Sequence, residues 1–109
     1  MTRDKNLPLT ETAYYILLSL VRPAHGYAIM QEVERLSDGQ VRLAAGTMYG
    51  ALENLVMKGL IVSHPSDDPR RKVYVISPAG RAALDADAER LRHMLAVTEL
   101  VTNEKGDLR

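Results

Sequence analysis

Arg70-Arg71-Lys72 is the densest run of positive charge in this 109-residue chain, and it follows a turn-rich stretch, His64-Pro65-Ser66-Asp67-Asp68-Pro69. Upstream, Thr47, Tyr49, Asn54 and Lys58 punctuate a segment whose apolar residues keep helical spacing. Cations neutralise phosphates, hydroxyls bond to phosphates or base edges, and an asparagine amide pairs with adenine in a major groove. The chemistry on offer is recognition of a polyanion. Bond-making chemistry lacks its parts. His25, His64 and His93 fall in separate elements, without the i, i+4 spacing of a zinc pair. There is no cysteine, no Ser/His/Asp constellation and no glycine-rich phosphate loop after a strand. No catalytic residue, cofactor or metal is expected.

The helical segment raises a question of its own. In Ala44–Ile61 the residues Met48, Leu52, Leu55, Val56 and Leu60 form the face expected to lie on a core. The other face begins with Thr47, Gly50 and Ala51, although Glu or Lys would make a better solvated helix there. Small residues at the start of a helix let its backbone approach base edges and phosphates, which bulky residues would hold off. The helix N-terminus adds free N–H groups and a positive dipole end. Gly50 and Ala51 are therefore expected to permit contact, with Thr47 and Tyr49 supplying hydroxyls, Asn54 reading adenine and Lys58 holding the backbone.

The remaining elements must position these groups. Leu9 to Val21 predicts a first helix, with Thr10 as its N-cap and Ala13, Ile16, Leu17, Leu20 and Val21 on its buried stripe. Arg22-Pro23 stops it. His25-Gly26-Tyr27 opens a second helix to about Leu36, ended by Ser37-Asp38-Gly39. Val41-Arg42-Leu43 reads as a short extended piece. Ile61-Val62-Ser63 and Arg71 to Ser77 read as the two strands of a β-hairpin, and Pro78-Ala79-Gly80 leads into a last helix from Arg81 to Val101. The fold class is mainly α with a small β-hairpin: a winged helix-turn-helix over residues 1–78, then a long C-terminal dimerisation helix and a disordered tail over 79–109. That layout sets the third helix in a major groove and the hairpin beside the backbone.

Composition neither adds nor removes a partner. Basic and acidic residues balance at 14 each, so a nucleic-acid role must rest on local arrangement. No apolar run reaches membrane-span length, the N-terminus MTRDKNLPL has no signal-peptide core, and the lack of cysteine fits a cytoplasmic protein. Asp67 and Asp68, beside the cationic run, are expected to moderate its attraction for phosphate.

Five short motifs, in order, resemble the PadR family of bacterial transcriptional regulators: His25-Gly26-Tyr27; Gly46-Thr47-Met48-Tyr49-Gly50-Ala51-Leu52; Gly59-Leu60-Ile61; Arg71-Lys72-Val73-Tyr74; and Ser77-Pro78-Ala79-Gly80. The resemblance covers roughly Leu9 to Leu84. The chain departs from it in having Gly50 where many members have proline, and Ala44 and Ala45 where many have a Ser or Thr that could cap the third helix. The resemblance implies a homodimeric repressor that binds an inverted-repeat operator in double-stranded DNA and releases it when a small apolar or aromatic effector alters the dimer. It also implies that Tyr49 and the wing cations belong to the DNA-contacting surface, which Tyr27, opening the second helix, is expected to join.

The last helix is informative independently. Leu84, Ala88, Leu91, Leu95, Thr98 and Val101 recur at intervals of three and four, a coiled-coil-like seam, with Met94, Val97 and Leu100 widening it. Asp85, Asp87, Glu89, Arg90 and Arg92 are expected to form the solvated remainder. Leu84, Ala88, Leu91, Leu95 and Val101 are the candidate dimerisation residues. A two-fold dimer would set two recognition helices about 34 Å apart, one DNA turn. By resemblance to short-tailed members, Tyr14 and Tyr15 with Met94 and Val97 are candidates for an effector pocket at the interface. Two rival readings share the fold: a regulator of the MarR type, and a winged helix used only for protein–protein contact.

Overall fold

Ile16, Leu17 and Leu20, expected on the first helix's buried stripe, have no exposed surface. A computed structural model of the chain describes residues 4–103 and places them on helix α1 (Glu11–Ser19) and its C-cap. The predicted cap forms: Thr10 Oγ1 accepts the Ala13 N–H at 3.0 Å. Strand β1 (Ala24–His25), helices α2 (Gly26–Leu36) and α3 (Ala45–Met57), strands β2 (Ile61–His64) and β3 (Val73–Ile76), and helix α4 (Pro78–Thr102) complete the chain. The tail expected to be disordered lies almost wholly outside the described residues.

One core joins all four helices to the hairpin. Ile29 and Val33 of α2, Met48, Leu52 and Leu55 of α3, Leu60, Ile61, and Ala83 and Leu84 of α4 close around the α1 stripe. Each large aliphatic side chain buried this way contributes about 1.5–3 kcal/mol. Val56 departs from expectation. It is 43% exposed, because the face of α3 that meets the core is narrower than its apolar sequence. Ala51 departs the other way, partly buried against the core.

The sheet has three antiparallel strands in the order β1-β3-β2. The hairpin pairs Ile61 with Ile76 and His64 with Val73, and β1 adds Ala24 opposite Tyr74 and His25 opposite Val73. The extra extended piece is thus Ala24–His25, not Val41–Leu43, which has no strand pairing. Val41 is tied into the α2–α3 turn instead, its N–H held by Ser37 Oγ at 2.9 Å.

The junction of α3, hairpin and α4 is closely built. Gly59 adopts φ +73° and donates to the Val56 carbonyl, while Leu60 donates to Leu55, a Schellman ending in which buried Leu55 and Leu60 make the accompanying apolar pair. Ser77 caps α4, accepting the Gly80 N–H at 3.0 Å and donating to the Gly59 carbonyl at 2.6 Å. At Gly80 any Cβ would collide with the Leu60 carbonyl. Glycine there lets α4 dock on the end of α3.

Helix α4 divides into two parts. Gly80, Ala83, Leu84 and Asp87 are buried, whereas every described residue from Leu91 onward is exposed. The protruding half accounts for the elongated shape, 59 × 34 × 20 Å. Leu84, expected in the dimer seam, is 5% exposed and belongs to the domain's own core, so it is not free to meet a second copy. Asp87, expected on the solvated face, is 1% exposed. No helix among the described residues is long and apolar enough to cross a membrane.

Candidate nucleic-acid interface

The wing and the outer part of α3 face a common groove. Tyr27, at the start of α2, and Tyr49 and Glu53 of α3 line it from the helical side; Asp68, Arg70, Arg71 and Lys72 line it from the wing. Tyr27 is 66% and Tyr49 50% exposed, unusual for tyrosines in a chain whose core is aliphatic. Gly26 makes room for this arrangement. A Cβ there would lie 2.7 Å from Tyr49 Oη and 3.0 Å from Met48 Cε, so its absence lets the Tyr49 ring lie across the entry to α2.

The wing cations are not equivalent. Arg70 is bound by Asp68, whose Oδ1 accepts the Arg70 backbone N–H at 3.0 Å and its Nε at 3.3 Å. Those two bonds, the backbone one foremost, with Arg71 adding a field, hold the Asp68 carboxyl below its ordinary value against the opposing effect of burial. Arg71 and Lys72 make no ion pair among the described residues and are exposed. Of the acids expected to moderate the cluster, Asp68 does so by pairing, and Asp67 makes no ion pair among the described residues.

Along α3 the outermost stripe is Gly46, Gly50, Glu53 and Met57, at i, i+4, i+7 and i+11. A Cβ built at Gly46 or Gly50 meets nothing within 4 Å, so packing within the described chain requires neither glycine. Thr47, Asn54 and Lys58 are exposed too, but on the flank turned away from the wing groove, and do not line it. As the sequence implied, Ala44 at the N-cap makes no side-chain cap. Residue type alone does not mark Glu53 and Met57 as part of this face. Their signal was the spacing from Gly46 and Gly50, masked because neither residue type suggests phosphate contact.

A second concavity of about 450 Å³ lies between α1 and α4. Tyr14 and Tyr15 line it, as do Leu9, Leu18 and Leu91, with the Tyr14 and Tyr15 rings edge to face at 6.5 Å between centroids. Met94 and Val97, expected with the tyrosines, do not line it; they lie further along α4, 51% and 43% exposed. Asp87 and Arg90 are present instead, paired at 2.6 Å. Beyond the cleft, Leu91, Met94, Leu95 and Val101 form an exposed apolar stripe, and Ala88 is partly buried at its base.

Known proteins agree with this architecture. The family model described as "Transcriptional regulator PadR-like family" matches residues 16–86. The transcriptional regulator Rv3488 of Mycobacterium tuberculosis is 39% identical over 72 residues, 64% of this chain and 64% of that protein. A 37.1 kDa protein in transposon TN4556 of Streptomyces fradiae is 36% identical over 73 residues, 66% of this chain and 20% of that protein. The chain thus spans less than two thirds of both relatives. Among solved structures, a PadR family transcription regulator from Clostridium difficile superposes with a TM-score of 0.70 at 25% identity, covering 84% of this chain and 97% of that one. The matched span takes in the helix-turn-helix, the hairpin and the anchored part of α4, and it sets aside the MarR-type reading of the same fold. The chain belongs to the PadR-like family of transcriptional regulators, which are DNA-binding proteins and not enzymes.

Proposed function

We propose that the chain is a cytoplasmic repressor that binds an inverted-repeat operator as a homodimer and is released by a small apolar or aromatic effector. The observation that carries the DNA-binding part is the common groove. Two exposed tyrosines and three adjacent cations converge on it, next to a helix face whose glycines have no packing partner. In this reading residues 1–78 grip DNA, with Tyr27, Tyr49, Arg70, Arg71 and Lys72 on phosphates. Thr47, Gly50, Asn54 and Lys58 then lie along the major groove.

Residues 79–109 supply the pairing helix. An exposed stripe of Leu91, Met94, Leu95 and Val101 on a protruding half-helix supports it, since such a stripe is a liability unless covered. The cleft beside Tyr14 and Tyr15 adjoins Leu91, so an occupant there would touch both the domain and the pairing helix. That contiguity supports effector control of dimer geometry.

The experiment is titration of duplex DNA carrying the inverted repeat of the adjoining promoter, at increasing salt. A repressor of this kind forms a specific complex whose log affinity falls linearly with log salt, with a slope of about −0.9 per phosphate neutralised. A module made only for protein contact gives no specific complex at any ionic strength.

A further inference from the structure

We infer that Glu53 is a specificity-determining residue that reads an exocyclic amino group of the operator, that of cytosine, with Met57 one turn on meeting a thymine methyl. The inference rests on the proposed DNA-binding role and deepens it. Glu53 stands on the outermost stripe of α3, after two glycines whose surroundings are open. A helix that can sink at Gly46 and Gly50 brings the next residues of the same stripe to the groove floor.

The Glu53 side chain makes no hydrogen bond or ion pair among the described residues, although it lines the same groove as Arg71 and Lys72. A free carboxylate facing DNA is repelled by every phosphate. The field of Arg71 and Lys72 offsets part of that repulsion without regard to sequence; a sequence-dependent offset needs a donor on the floor, and in the major groove the cytosine N4 amino group is the donor matched to Glu. Met57 is 85% exposed, the most exposed large apolar side chain among the described residues. It caps no core, and the thymine methyl is the apolar feature of the major groove. At about 1.5 Å per residue, Glu53 and Met57 lie roughly 6 Å apart along the helix, about two base-pair steps.

Glu53 thus acts by discrimination. It lowers affinity for DNA in general and restores it where cytosine stands at one position. Asn54, on the neighbouring flank, is a separate reader.

The test is binding-site selection from a random duplex library with the full chain, alongside E53A, E53Q and M57A. Both Glu53 variants replace an exposed side chain, and glutamine keeps its length and helix propensity. The expected result is a wild-type motif containing a C·G pair with a T·A pair about two positions away. E53A loses the cytosine preference by about tenfold or more and binds non-specific duplex more tightly. E53Q moves the preference to adenine, the base that glutamine pairs bidentately. M57A loses only the thymine. If the wild-type chain selects a motif and E53A and E53Q select the same one, the inference is overturned while DNA recognition stands. If the wild-type chain selects no motif, both fall.

Discussion

Replacing Gly50 should separate stability from function. Gly50 sits inside α3, and a Cβ there meets nothing within 4 Å. Alanine in a helix interior is more favourable than glycine by about 0.8–1.0 kcal/mol, and here no clash subtracts from that gain. At about 4 °C or more per kcal/mol for a domain of this size, G50A should melt several degrees higher. G50L should keep most of the gain, because leucine is also a good helix former and its side chain would lie in open space. Its bulk would hold α3 away from the groove floor. Losing even one bidentate base contact costs about 1–3 kcal/mol, so operator affinity should fall by about fivefold or more. The assays are thermal melting by circular dichroism at fixed protein concentration and fluorescence anisotropy on an operator duplex. If G50A melted lower than the parent, the open surroundings of Gly50 would be wrong. If G50L bound the operator like the parent, close approach at this position would not be the reason for glycine.

The wing offers a graded series: K72A and R71A should weaken all duplexes alike and each reduce the salt slope by about 1. R70A should change the slope less, because Arg70 is already held by Asp68 at 3.3 Å; equal effects for all three would deny that neutralisation. L91E places a charge on the exposed stripe of α4 and should give a single-copy particle with lost operator affinity, checked by light scattering after size exclusion. A variant that stayed dimeric would move the seam elsewhere. R90A leaves the 1% exposed Asp87 unpaired at the wall of the cleft and should lower stability in denaturant unfolding, by less than the about 3–5 kcal/mol of a fully buried pair. D87A should cost less, because the Arg90 side chain is 21% exposed and can turn to water; the reverse order would refute this account of the pair.

What could be read from the sequence was whatever repeats over three turns or more. Met48, Leu52 and Leu55 were legible as the core face of α3, and the Thr10 cap and the Ser37-Asp38-Gly39 stop were legible from residue type. Strand β1 was not, since two residues cannot display alternation. The sheet needs them only because β3 offers an edge at Tyr74 and Val73. Val56 and Ala51 were misjudged for one reason: apolarity and smallness report what a residue tolerates, whereas exposure depends on the angle at which α3 meets its neighbours. Asp87 shows the limit most clearly. It stands three residues after Leu84 and four before Leu91, on the buried stripe by spacing, yet its charge argued for the surface. Pairing with Arg90 resolves the conflict, and only three-dimensional proximity reveals the pair. At the interface, single residue types suggested phosphate and base contacts, but the sharing of one groove by wing and helix depended on the hairpin's path.

Pro78–Thr102 is one uninterrupted helix, anchored at Ser77 and Gly80 and free beyond Leu91. Its two halves therefore cannot move independently. It works as a stiff lever with the reading head clamped to one arm. Over a reach of about 30 Å, a tilt of roughly ten degrees displaces the far end by about 5 Å, more than the rise of a single base pair. In the proposed homodimer, small angular changes at the protruding arm would thus be enough to throw the two heads out of step with the turn of a double helix.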